Sequence, residues 1–195
     1  MYGKWILCGV LGLALVAVCS SYNGLVTLDE TATTSWAQVQ NQYQRRYDLV
    51  PNLVETVKGY AEHEKSSFIA VTEARAKVGQ MNVNAEDAAS LQQFFQVQDQ
   101  LKSALSRLLV VMENYPVLKA NESFLKLQDE LAGTENRIAV ERRRFNEAVR
   151  GLNQRVRRFP GNLVAGIFGI GRREYFDAEE QAQSAPQVNF GAGNQ

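Results

Sequence analysis

Residues 25–60 read LVTLDETATTSWAQVQNQYQRRYDLVPNLVETVKGY. Apolar or aromatic side chains fall at Leu25, Leu28, Ala32, Trp36, Val39, Tyr43, Val50, Leu53, Val57 and Tyr60, with steps built from three and four residues. That period places one apolar stripe along a helix and is incompatible with the alternation of a half-buried strand. Pro51 is the one fault in the pattern. It lacks a backbone donor and crowds the preceding turn, which predicts a kink near Tyr47.

Towards the C-terminus the pattern continues through Phe68, Val71, Ala74 and Val78 until Gly79. A polar stretch, GQMNVNAED, then offers Asn84 as a cap, with Glu86 and Asp87 as favourable first-turn charges for the next helix. That helix carries the stripe Leu91, Phe94, Phe95, Leu101, Leu105, Leu108 and Met112 and ends at Tyr115-Pro116, because a proline moves the residue before it away from helix. Asn121 or Ser123 caps the next, whose stripe runs Phe124, Leu127, Leu131, Ile138, Phe145, Val149, Leu152 and Val156 up to Phe159-Pro160. The fold class expected is all-α, an antiparallel long-helix bundle of three or four helical segments. The number turns on whether the first pattern breaks near His63. If it is one helix to Val78, the segment after Pro160 starts far from the chain's N-terminal end; if it breaks, that segment returns there.

Towards the N-terminus the character changes. No charged residue lies between Lys4 and Asp29, and Trp5 to Val18 reads WILCGVLGLALVAV. A helix of that composition crosses roughly 30 Å of hydrocarbon. The expected organisation is therefore a short flank at 1–4, a transmembrane anchor at 5–26, the bundle at 27–160, a glycine-rich apolar segment at 161–176 and a disordered polar tail at 177–195. The alternatives are a cleaved signal peptide, for which Ala14, Ala17 and Ser20 fit the small-residue rule only loosely, and lipidation at Cys19, where Val18 is bulkier than such a site prefers. Lys4 and the terminal amine on one flank, against Asp29 and Glu30 on the other, predict a single-pass membrane protein with its bulk facing outward.

The composition excludes several classes. The 21 basic and 21 acidic side chains balance, so no bulk attraction to nucleic acid is expected. Both cysteines, Cys8 and Cys19, lie in the apolar run, which leaves the folded part without disulfides or thiolate ligands. His63 is the only histidine, and its neighbours Glu62 and Glu64 are consecutive with it, so the three point to different sides of a helix. No metal, no cofactor and no catalytic residue are expected. The glycines at 166, 169 and 171 do not make a phosphate loop, since no Lys-Ser or Lys-Thr follows and no strand precedes them.

Two clusters remain as candidates for contact. Leu163, Val164, Ile167, Phe168 and Ile170 form an apolar group after Pro160, suited either to packing on the bundle end or to a partner or lipid surface. Arg45, Arg46, Glu135, Arg137, Glu141, Arg142, Arg143 and Arg144 form a charged seam expected to pair helices and fix their register.

The segments YNGLVTLDE at 22–30, NQYQRRYDLVPNLVETVKGYAEHE at 41–64 and GTENRIAVERRRFNEAVRGLNQRVRRFPGNLVAGIFGI at 133–170 closely resemble the bacterial LemA family, and the tail REYFDAEEQAQSAPQVNF is similar too. The resemblance covers most of the chain. It implies an N-terminal membrane helix followed by a helical bundle, carries over no catalytic residue, and points to a scaffold or adaptor acting on an unidentified envelope protein. Self-assembly into a homo-oligomer or a lipid-contacting structural role is the alternative; an enzyme or metal carrier with a site between helices is the weakest, because the Glu-x-x-His pairs of di-metal bundles are missing.

Overall fold

A computed structural model of the chain describes residues 2–176 except 62 and 86. The expectations for Glu62, Glu86 and the tail 177–195 lie outside the described residues. The elements are α1 (Tyr2–Lys58), α2 (Lys65–Gly79), α3 (Ala88–Met112), α4 (Pro116–Lys119), α5 (Glu122–Arg157) and α6 (Gly161–Phe168). No strand occurs among the described residues, as the periodicity predicted.

The first pattern breaks. α1 stops at Lys58 and α2 begins at Lys65, so the four-segment form is the observed one. α1 runs out from the N-terminus, α2 returns alongside its distal part, α3 runs out again, and the long α5 returns along α1 to the level of Leu25. Pro51 does not end α1, which continues through it. The carbonyl that a proline leaves without a donor is that of the residue four before it. Here that is Tyr47, and its oxygen accepts from Arg75 Nε of α2 at 3.2 Å, with the guanidinium 3.8 Å from the centre of the Tyr47 ring.

The caps follow local chemistry. Asn121 accepts from the Phe124 backbone N–H at 3.1 Å and opens α5 as expected. At α3 the cap is Asp87, accepting from the N–H groups of Ala89 and Ser90, both at 3.2 Å. Asn84 instead donates its own N–H to Ser90 Oγ at 3.0 Å. A carboxylate beside the first orphan donors of a helix gains from both hydrogen bonding and the helix dipole, which is why Asp87 prevails over an amide three residues earlier. α4 is a single extra turn with Pro116 at its start, where a missing N–H costs nothing.

The stripes bury nearly as spaced, with Tyr60 the clear exception at 43% exposure. They build two cores rather than one. The distal core is mostly aliphatic, centred on Val50, Leu53, Val57, Leu101, Leu105, Leu108 and Leu131 with Phe124 as its buried aromatic, and shared by α1 to α5. The proximal core is aromatic, built on Trp36, Tyr43, Phe94, Phe145 and Phe176 with Leu25, Val149, Leu152 and Val164.

Candidate functional site

The N-terminal part of α1 stands apart from both cores. Residues 2–20 are all exposed, and this stretch is long and apolar enough to cross a membrane, with a mean hydropathy of 2.0 in its most apolar window. They rise roughly 28 Å as helix, close to the ~30 Å of a hydrocarbon layer. The bundle starts at once after them: Ser21 and Leu25 are buried, although 5–26 was the expected anchor. The uncharged run exceeds the free-standing helix because its last turn serves the protein core instead.

α6 packs at this same level. A cis peptide bond joins Phe159 to Pro160, and at Gly161 a Cβ would run into the Arg155 backbone carbonyl oxygen. Gly169, at φ 70°, closes the helix in the left-handed conformation that glycine adopts without strain. Val164 and Ala165 join the core beside Leu25, and the Phe168 ring lies 4.3 Å from that of Tyr22. The apolar group predicted here therefore divides. Val164 is buried and is not available to a partner; Ile170 is half-buried; Leu163, Ile167 and Phe168 remain exposed at 57%, 75% and 52%. An eight-residue helix has only one inward face, here Gly161, Val164 and Ala165, so the other apolar residues of the sequence must face out.

After α6 the chain turns back along α5, held by two asparagines. Asn153 Nδ2 donates to the Arg173 carbonyl at 2.8 Å while its Oδ1 accepts from the Arg173 N–H at 3.0 Å. Asn146 holds Phe176 in the same way, at 3.0 and 2.8 Å. Seven residues of helix rise about 10 Å, and three residues of extended chain span about 10 Å. The two ladders therefore match in pitch, running in opposite directions. The Arg173 guanidinium reaches α1, 3.0 Å from Asp29 and 2.9 Å from Thr33 Oγ1. Phe176 enters the aromatic core 4.3 Å from Phe95 and 5.3 Å from Phe145, under the Arg142 guanidinium at 4.8 Å.

Arg46 occupies the boundary between the cores and is 2% exposed. Its Nη1 donates to Glu135 Oε1 of α5 at 2.7 Å, and its Nη2 donates to both the backbone carbonyl, at 3.1 Å, and the side-chain oxygen of Gln98 on α3. The guanidinium also lies 5.0 Å from the Tyr43 ring. Burial pushes the Tyr43 hydroxyl up to about 12, against the lowering effect of Arg142 and Arg46. The rest of the charged seam is brought together only in part. Arg45 meets Glu130 of α5 at 3.6 Å in the open. Glu141 pairs with Arg144 at 2.7 Å within α5, Arg137 reaches Thr134 one turn back at 3.4 Å, and Arg143 is exposed. A run of three arginines covers most of a helix's circumference, so its members cannot all face α1.

The residues that the sequence reading missed are Asn146, Asn153, Gln98, Arg173 and Phe176. One signal was present: Asn146 and Asn153 sit two turns apart beside the stripe residues Phe145 and Leu152, where a lone polar amide next to a core must find a partner. Among the described residues no group of three or more His, Cys, Asp or Glu side chains is placed to hold a metal. His63 is exposed.

The sequence profile of the LemA family matches residues 35–190. Magnetosome protein MamQ 2 of Paramagnetospirillum magneticum is 26% identical over 186 residues, covering 86% of this chain and 68% of that protein. Magnetosome protein MamQ of Magnetospirillum gryphiswaldense is 25% identical over 199 residues, covering 90% and 73%. Protein LemA of Metamycoplasma hominis is 24% identical over 142 residues, covering 73% of this chain and 62% of its own length.

Proposed function

Because this chain belongs to the LemA family, we propose that it is a membrane-anchored helical scaffold of a bacterial inner membrane, acting through protein contacts and without catalysis of its own. The observation that carries the reading is α1. One unbroken helix supplies both the exposed apolar segment 2–20 and a full side of both cores, so the bundle is held on a stiff rod and not on a linker. At 1.5 Å per residue the rod is roughly 85 Å long. Residues 2–20 cross the bilayer once, and the distal end stands tens of ångströms from it, facing outward by the charge asymmetry around Lys4.

Relatives named for a cellular structure rather than for a reaction support this reading. The surface offered to a partner is the distal end, where Val117 of α4 and Val110 of α3 are 72% and 68% exposed. The test is a photoreactive residue placed at either position in the full chain in cells, with protease accessibility of spheroplasts measured alongside. A single crosslinked protein obtained from both positions, and lost from position 110 in Val117→Asp, with the domain cleaved from outside, is expected. Crosslinks only between copies of the chain would replace the adaptor by self-assembly; a protected domain would reverse the orientation.

A further inference from the structure

The geometry points to α6 and the arginines around it as a second membrane contact, one that lies in the headgroup layer and selects anionic phospholipid. This rests on the anchor reading above and adds to it a lipid class and the residues that would recognise it.

Three observations converge on the contact. The first is position. Val164 and Ala165 share the core with Leu25, and the Phe168 ring lies tilted against that of Tyr22, so α6 lies at the level of α1 where the free-standing apolar stretch ends. If residues 2–20 span the bilayer, α6 is at its surface. The second is the exposed face. Phe159, Leu163, Ile167 and Phe168 are 79%, 57%, 75% and 52% exposed, in a short segment whose other face is already anchored in the core. Large exposed apolar side chains concentrated at one end of a bundle mark a contact surface, and a short amphipathic helix beside a span fits the bilayer interface.

The third is charge. From Ala148 to Arg173 the chain has no acidic residue and carries Arg150, Arg155, Arg157, Arg158, Arg172 and Arg173. In a chain with 21 basic and 21 acidic side chains, this leaves the remainder acidic. Arg173 is turned inward to Asp29, whereas Arg150, Arg157, Arg158 and Arg172 are exposed. A protein partner could meet the apolar residues alone. An apolar wedge within a collar of arginines matches acyl chains beneath anionic headgroups, since guanidinium forks suit phosphate and each basic residue near such a surface adds attraction.

The test uses the full chain in nanodiscs with a photoreactive residue at Ile167, and separately at Trp5 in the span and Val117 at the distal end. Discs contain phosphatidylcholine alone or with about a third phosphatidylglycerol. Lipid adducts are expected at Trp5 and Ile167 and none at Val117. The Ile167 yield should fall about fivefold without phosphatidylglycerol, or in Arg157→Glu with Arg158→Glu, while the Trp5 yield holds. Both arginines are exposed, so an unchanged helical circular dichroism melt confirms that the variant is folded. Adducts at Trp5 with none at Ile167 would overturn the second contact and leave the anchor standing. Equal Ile167 yields in both lipids would overturn the anionic selection, and no adduct at Trp5 would overturn the anchor reading itself.

Discussion

The distal and proximal halves of the bundle reach the same end, a closed core around α1 and α5, by different means. In the distal half α2 and α3 complete the packing, and the core is mostly aliphatic, as expected where helices meet by ridges and grooves. In the proximal half α2 is missing and α3 has only begun. α6 and the returning segment from Arg173 to Phe176, which has no regular secondary structure, fill the space, and the core is aromatic. An irregular segment leaves backbone polar groups that a helix would satisfy internally, so this half needs the two asparagine clamps. Where helices run out, side-chain amides take over the role of helical hydrogen bonds.

The sharpest way to break the comparison is to cut the joint between the halves. Arg46 ties α1 to α3 and α5 at that boundary while almost wholly buried. Arg46→Met should cost about 3 kcal/mol in chemical denaturation of the full chain, because Glu135 and the Gln98 carbonyl lose their donor inside the protein. The estimate sits at the low end for a broken buried pair since the Glu135 side chain keeps 32% of its surface in water. Adding Glu135→Leu should recover more than half of the loss, because a buried pair replaced by apolar groups of similar size is often neutral. A single-variant cost below about 1 kcal/mol would mean the two cores are joined by packing alone.

Next in size is the clamp. Asn153→Ala removes both a donor and an acceptor from the Arg173 backbone and should cost about 2 kcal/mol. The loss should be local. Amide exchange at Arg173 and Phe176 should accelerate while the distal part of α3, from Leu101 to Met112, stays protected. Equal acceleration in both halves would show that they unfold as one cooperative unit.

This difference between the halves is also the difference between what could and could not be read in the sequence. Period-three-and-four spacing exposed α1, α3 and α5 and nearly all of their buried residues, because each apolar side chain there reports its own helix face. The break before His63 is not legible locally, since Gly59 weakens a helix without ending it and Ala61 and Val71 are buried in a core that several helices share. The candidate contact group was half legible. Its apolar character is plain, but that Val164 turns in while Ile167 turns out depends on where α5 ends and how closely Gly161 meets Arg155. The clamp was not read, because it pairs residues 20 and 30 positions apart through backbone groups that every residue possesses.

The smallest effect at neutral pH belongs to Tyr43, which lies where the two halves meet, and it becomes visible only in alkali. Its hydroxyl is raised from 10.0 to about 12 by burial. Between those values the unfolded chain releases the phenolic proton and the folded chain keeps it, so folding stability is fully present below pH 10.0 and declines as pH rises towards 12. The decline should reach about 2 to 3 kcal/mol by the upper end of that window. Tyr43→Phe removes the ionisation, so the variant should differ from the parent by less than about 1 kcal/mol at pH 7 and become the more stable of the two above pH 11. Comparing paired denaturation curves cancels the other tyrosines and lysines that titrate in the same range. A constant difference across the window would mean that water reaches the hydroxyl, and with it the boundary between the aromatic core and Arg46.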